Sequence, residues 1–320
     1  VFYTPYYAAL ERGGHQREGL DVVLTQPSGP NRAASDLFDG YADVTWGGPM
    51  RMLQCMSQNP STENRLVAFG EAVAKDPFLL IGNRPFPDFR LSDLRDCRLA
   101  TVSEVPTPWL CLQEDLRRAG IDPSSIDRVS DRTMAENADA LRAGEVDVIQ
   151  VFEPFVQTLV AEGAGHIWYA AASRGLTSYT TYYAPLSFCK SERNILLSLT
   201  RALYDVQIWL HEAPISEVAK TVHKYFPELS DSILEGAIHR YLNLGIWGRD
   251  PFLDMSGYLR LKMALISGGF IERDTPYEEC VDPSIAKTII SEREKNYRLG
   301  ASVSTEKSTI VSAVATATDP

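Results

Sequence analysis

Two phrases in the sequence end alike: "LFDGYADVTWGGP", residues 37–49, and "LRAGEVDVIQVFEP", residues 141–154. Each runs an apolar strand into a proline at the opening of a helix, Gly48-Pro49 and Glu153-Pro154. Thr4-Pro5 and Thr107-Pro108 have the same form. Proline suits a first helical turn, where its missing N–H costs nothing. A helix N-terminus presents unpaired N–H groups and about half a positive charge, which suits an anionic or acceptor-rich ligand group. Gly47 and Gly48 remove side chains where a ligand must approach backbone. Aromatic residues crowd the junctions: Tyr6, Tyr7, Trp46, Trp109, Phe152 and Phe155, with Tyr179, Tyr182 and Tyr183 further on. Such a concentration can grip a flat or apolar solute. Glu153 is either an acceptor for ligand N–H donors or a charge favourable to its own helix by ~0.3–1 kcal/mol. Trp46 and Phe152 serve equally as core ends of strands, and Tyr6 and Trp109 equally as packing against their own sheets.

Other chemistries find less support. Cys55, Cys97, Cys111, Cys189 and Cys280 are odd in number and irregularly spaced, which indicates neither a disulfide framework nor a zinc site. They read as buried small hydrophobes. Cys111 stands in a first helical turn, where a thiol pKa can fall, but no histidine neighbours it in sequence. His166, His211, His223 and His239 lack metal-ligand spacing. Lys75 is the only lysine before residue 190. No metal and no cofactor is expected.

The elements that position these residues follow from punctuation and periodicity. The 320 residues suffice for two lobes with cores of their own. The net charge of −11, with basic residues scattered, argues against a nucleic-acid surface. No stretch approaches the ~20 apolar residues of a membrane span. "TPYYAALERGG" is a helix with Thr4 as cap, "LDVVLTQ" a strand, "NRAASDLFDG" a helix, "ADVTW" a strand and "PMRMLQCMSQ" a helix. The order returns after "RLATVSEV": Thr107-Pro108-Trp109 matches Thr4-Pro5-Tyr6, "AENADALRAG" matches "NRAASDLFDG", and "EVDVIQVFEP" matches "YADVTWGGP". The expected fold is therefore α/β, two Rossmann-like lobes with mainly parallel sheets on one plan. Their crossings are assigned to "DPFLLIGNRPFPDF" and "YTTYYAPLSFCK". Residues 1–83 form the first part of lobe 1, 84–184 lobe 2, and 185–300 the return crossing and helices packing on lobe 1. Within the last, Leu196, Leu199, Leu203, Val206 and Leu210 repeat at helical spacing, and helices are expected near 214–225, 230–243, 254–268 and 283–298. Val1 to Tyr3 read as part of a strand, so the natural start is expected to lie upstream. Residues 301–320, small and polar, read as a disordered tail.

"TPYYAALERGGHQREGLDVVL", "LFDGYADVTWGGP" and "LRAGEVDVIQVFEP" together resemble the type II periplasmic solute-binding proteins of the nitrate, sulfonate and thiamine-precursor group, the NMT1/THI5-like family. The likeness covers about residues 1–270. It implies two lobes joined by two crossings, closing over a small solute that is handed to the permease of an ABC importer. It also implies a monomer in the periplasm or another extracytoplasmic space, or in the cytoplasm if no signal peptide exists. The family's ligand-contacting loops fall on Thr4 to Tyr7, Trp46 to Gly48, Ser103 to Trp109 and Phe152 to Pro154. The ligand-binding set is accordingly Thr4, Tyr6, Tyr7, Trp46, Gly47, Gly48, Ser103, Thr107, Trp109, Phe152, Glu153 and Tyr182.

The resemblance also admits enzymes. One relative is an aromatic sulfinate desulfinase with a cysteine in the loop after the first strand; another is the fungal pyrimidine synthase, with a cysteine-rich motif and an active-site histidine. This chain has Thr4-Pro5-Tyr6-Tyr7 in that loop, no adjacent cysteines, and in its first copy only His15. A sensor using the same closing cleft is a third class. The expected solute is a small planar or aromatic compound, such as a pyrimidine precursor, a sulfonate or an aromatic carboxylate.

Overall fold

The computed structural model describes residues 1–28, 32–58, 65–299 and 309–315. The chain first builds most of one sheet: Thr4–Glu11 (α1), Gly14–Arg17 (α2), Leu20–Thr25 (β1), Ser35–Phe38 (α3), Val44–Gly47 (β2), Pro49–Gln58 (α4) and Leu66–Val73 (β3). It then crosses into a second: Leu79–Gly82 (β4), Arg98–Val102 (β5), Thr107–Arg118 (α5), Asp127–Arg132 (β6), Met134–Arg142 (α6), Val148–Val151 (β7), Phe155–Ala161 (α7) and His166–Ala170 (β8). It returns through Thr180–Pro185 (β9), Leu186–Ser191 (α8), Arg193–Glu212 (α9), Ile215–Val222 (α10), Asp231–Leu244 (α11), Met255–Ser267 (α12), Tyr277–Cys280 (α13), Pro283–Leu299 (α14) and Thr309–Ala315 (β10).

The lobe 1 sheet has the order β1-β10-β2-β9-β3 and the lobe 2 sheet β6-β5-β7-β4-β8. In both, the first three strands are parallel and the last two pairings antiparallel. Helices cover both faces, so β3, β4 and β7 are buried throughout, as continuous apolar runs require. Alternate residues serve opposite layers: Tyr182 and Phe69 pack toward α1 and α9, Tyr183 and Ala68 toward α4 and α12. The charged strand "DRVSDR" forms an exposed edge of lobe 2, a guard against further pairing.

Local chemistry sets the ends of the return helices. Ser230 accepts from the Ile233 amide at 3.4 Å at the start of α11, and Gly245 ends that helix with φ 63°. Asp254 accepts from the Ser256 amide at 2.7 Å ahead of α12. The five apolar residues from Leu196 to Leu210 are all buried in α9.

Four expectations need correction. β4 and β9 are extended, as read, but each lies inside a sheet, so the crossings are the short stretches 74–78 and 175–179. The lobe boundaries move with them, from 83/84 and 184/185 to those stretches. Val1 to Tyr3 lead by a turn into α1 and form no strand. The tail holds a strand, β10, between β1 and β2; residues 301–308 and 316–320 of that tail lie outside the described residues, as does Asn31 of the "NRAASDLFDG" helix.

Candidate functional site

The junction prolines stand at the strand ends from which the lobes face each other. Pro5 and Pro108 occupy second positions of α1 and α5, and Pro49 opens α4. Pro154 precedes α7 by one residue, after a cis bond to Glu153. Thr4 does not cap α1: the helix already includes it, and its hydroxyl donates to the Val1 carbonyl at 2.7 Å.

In lobe 1 the register Trp46↔Tyr182 sets the side chains beneath α1. Tyr6 stacks on Trp46 with centroids 4.8 Å apart and planes 10° apart, and Tyr182 meets Tyr6 edge-on at 5.0 Å. All three are fully buried and form a packed aromatic platform beneath α1. The Tyr182 hydroxyl has no hydrogen-bond partner among the described residues. Gly48 lies where an added Cβ would sit 3.5 Å from the Tyr179 carbonyl of the second crossing.

Where the lobes meet, Phe152 at the end of β7 packs edge-on against Phe2, at 5.2 Å, and Phe78, at 4.9 Å. Tyr179 lies 6.4 Å from Phe2 and 6.3 Å from Phe78. These four rings come from lobe 1, both crossings and lobe 2, and join the two cores in one apolar cluster. The Tyr179 hydroxyl is buried without a partner among the described residues, and burial holds its pKa well above the usual tyrosine value. Buried polar groups without partners are uncommon and costly.

Glu153 is spent within the protein. Its side chain is 0% exposed and pairs with Arg240 of α11, itself 17% exposed. Its other oxygen accepts from the Gln157 amide at 2.8 Å, its own amide donates to the Tyr241 hydroxyl at 3.0 Å, and that hydroxyl donates to the Pro77 carbonyl at 3.3 Å. Burial pushes the Glu153 carboxyl above its ordinary range, and the guanidinium opposes the shift. The acceptor role for ligand donors is therefore replaced by a bond between lobe 2 and a return helix.

The opposite side of the seam is also closed. Ser267 at the end of α12 donates to Glu114 at 2.9 Å and accepts from Arg117 at 3.1 Å, both on α5. Deeper in, Arg174 pairs with Asp76 of the first crossing and Asp115 of α5, and its Nε donates to Asp115 at 2.9 Å.

Some expected residues lie elsewhere. Trp109 stacks under Arg128 at 4.5 Å and lines an outer groove with Gln113, Pro123 and Ile126, away from the Trp46 platform. Ser103 is exposed, its amide donating to the Arg132 carbonyl at 3.0 Å, and Thr107 is buried in the first turn of α5. Tyr7 stacks on Tyr225 at 4.0 Å and meets Trp46 edge-on at 6.1 Å, outside the platform. Cys111 does not have the lowered pKa its helical turn suggested, because burial pushes it up to about 12. Phe2, Phe78, Arg240 and Tyr241 were not read from the sequence. The first two flank junction and crossing, where an aromatic could have been suspected; the last two carry no such signal.

The chain is 23% identical over 295 residues to the putative binding protein YtlA of Bacillus subtilis (strain 168), covering 92% of this chain and 88% of that protein. Its fold is similar to the putative sulfonate ABC transporter periplasmic sulfonate-binding protein SsuA from Methylobacillus flagellatus KT, with TM-score 0.65, 15% identity and coverage of 82% of this chain and 78% of that one. It is also similar to a cysteine-to-serine mutant of DszB in complex with biphenyl-2-sulfinic acid, with TM-score 0.65, 12% identity and coverage of 90% of this chain and 96% of that one, and to the desulfurization enzyme DszB, with TM-score 0.63 and 15% identity. The NMT1-like family profile matches residues 1–223, and the chain belongs to that family.

Proposed function

We propose that the protein is a solute-binding receptor of an ABC-type importer, working outside the cytoplasm and without chemistry of its own. The observation that carries this reading is the aromatic seam of Phe2, Phe78, Phe152 and Tyr179, which joins two lobes of one plan through two short crossings. A solute held between the strand ends favours the closed arrangement by its differential affinity, and a permease can recognise that arrangement. The solute class is a small planar or aromatic compound bearing acceptor groups, such as a sulfonate, an aromatic carboxylate or a pyrimidine. Rings at the seam supply apolar contact, the Tyr179 hydroxyl supplies a donor, and the pairing of Glu153 with Arg240 offsets the charge that would repel an anion.

The competing reading is an enzyme, which the likeness to DszB keeps in view. The first loop here carries Thr4-Pro5-Tyr6-Tyr7, and the Cys111 thiol, pushed up to about 12, is a poor nucleophile near neutral pH. A thermal-shift screen against sulfonates, aromatic carboxylates, pyrimidines and flavins separates the two. A solute at ~100 times its Kd adds ~2.7 kcal/mol to the folded state. Recovery of unchanged ligand is the expected result; a ligand returned altered would overturn the receptor reading.

A further inference from the structure

Between α5 of lobe 2 and α12, which packs on lobe 1, lies a cavity of about 190 Å³ whose lining includes Cys111, Glu114, Asp115, Arg118, Arg174 and Arg260. The stack of Tyr6, Trp46 and Tyr182 does not border it. Its charged groups are unequally satisfied. Arg174 is held by Asp76 and Asp115, and Asp115 also accepts from the Tyr169 hydroxyl at 3.1 Å. Arg260 has no carboxylate partner among the described residues. Its Nη1 donates to the Arg174 carbonyl, and its Nε is buried without a partner among the described residues. The guanidinium lies across Gly175 of the second crossing, where φ is 93° and an added Cβ would stand 3.6 Å from Nη1. Arg118 meets Glu114 through Nε at 2.8 Å, and among the described residues its two terminal nitrogens have no partner.

A water answers a lone N–H but leaves the charge of Arg260 without a counter-ion. The carboxylates narrow the class of ion that fits. Glu114 and Asp115 have side chains 15% and 11% exposed, and they repel an anion that offers acceptors alone. An anion that also carries an O–H satisfies both sets of groups, with acceptor oxygens toward the guanidiniums and its hydroxyl toward a carboxylate. We propose that this cavity binds inorganic phosphate in its protonated forms, bridging Arg118 of lobe 2 and Arg260 of α12, with Glu114 accepting from the phosphate O–H. Glu114 has room for that bond: one oxygen accepts from Arg118 and the other from Ser267 at 2.9 Å, and each carboxylate oxygen has two lone pairs. The site stands apart from the solute site and does not rest on the receptor reading.

The test is titration calorimetry of the full chain near pH 8, with ionic strength matched by sodium chloride. Heat is the readout because phosphate and sulfate stabilise proteins in general by exclusion from their surfaces, which a melting temperature would also record. Inorganic phosphate should bind saturably. Sulfate and methyl phosphate, which near pH 8 offer charge without an O–H, should bind about tenfold more weakly or worse. Arg260→Gln should weaken phosphate about tenfold or more. Arg118→Gln, at a side chain already 58% exposed, should do the same with circular dichroism unchanged. Glu114→Gln should bring sulfate closer to phosphate. No saturable heat in the parent, or binding undiminished in the two arginine variants, would overturn the site. Sulfate bound as well as phosphate, or a preference that survives Glu114→Gln, would remove Glu114 from it. Competitive displacement of phosphate by a solute found in the screen would show that the two sites are one. Phosphate is titrated with no solute present, so failure of the receptor reading is told apart from failure of this one.

Discussion

At the scale of single residues, buried charge decides more than the aromatic rings suggest. Glu153 and Arg240 are 87 positions apart in sequence and share one ion pair at the seam. Removing one partner leaves the other buried and uncompensated, which typically costs about 3–5 kcal/mol, whereas removing both is far milder. Arg240→Gln should therefore destabilise the protein by about 3 kcal/mol in urea unfolding, and adding Glu153→Gln should restore most of the loss. Restoration by Glu153→Gln distinguishes a charge pair from simple packing. Glu71, on β3, shows the opposite case. Burial, helped by Asp254 and Asp250 and opposed by Ser178, lifts its carboxyl from 4.5 to about 8. Between those values the folded chain keeps a proton that the unfolded chain releases, so this group makes stability fall as pH rises through the window and then level off above it. Glu71→Gln removes the penalty. Unfolding free energies from urea titration should place the variant above the parent near pH 8, by at most about 5 kcal/mol, with the gap closing toward pH 4.

At the scale of elements, two glycines let helices from different lobes touch. A Cβ on Gly236 of α11 would fall 2.5 Å from the Gln157 side chain of α7, and one on Gly268, after α12, 2.3 Å from Leu110 of α5. Gly268→Leu should act as a wedge that weakens this contact: the radius of gyration by solution scattering should rise slightly and solute affinity fall by less than about twofold, with circular dichroism unchanged. An unaltered radius would show that Leu110 simply yields. Much of this element plan was legible. The stripe from Leu196 to Leu210 gave α9 because one face of that helix is buried, and the repeated phrases gave β2, β7 and the helices around them. The allegiance of β4 and β9 was not legible, since strands buried on both faces show no alternation to say which sheet they join. β10 was missed for a related reason. "TIVSAVA" has small residues whose place is set by ladders on both sides, a tertiary cause that local composition does not record. Of the candidate residues, Tyr6, Trp46 and Tyr182 are brought together in one stack. Trp109 misled because a residue just inside a helix can turn toward either layer, and here it turns to Arg128.

At the scale of the whole molecule, the seam is closed at two separate places, Glu153–Arg240 between α7 and α11, and Glu114–Ser267 between α5 and α12. If the lobes of the free protein are already mostly closed, weakening one place lowers the closed-to-open ratio without much reducing the closed fraction. Apparent affinity scales with that fraction, so it hardly changes until the ratio falls toward one. Weakening the second place then acts on a protein already near balance, and its full cost reaches the solute. The four proteins of the cycle formed by Arg240→Gln and Gly268→Leu test this directly. A double variant whose loss of affinity exceeds the product of the single losses indicates a free protein resting closed, with solute entry limited by opening. Losses that simply multiply indicate lobes that rest open, with each place on the seam formed only as the solute draws them together. The first outcome is expected, because the aromatic seam and both polar closures are made by protein groups alone. It further requires that solute association be slower than an open cleft would allow, which stopped-flow mixing measures on the same four proteins.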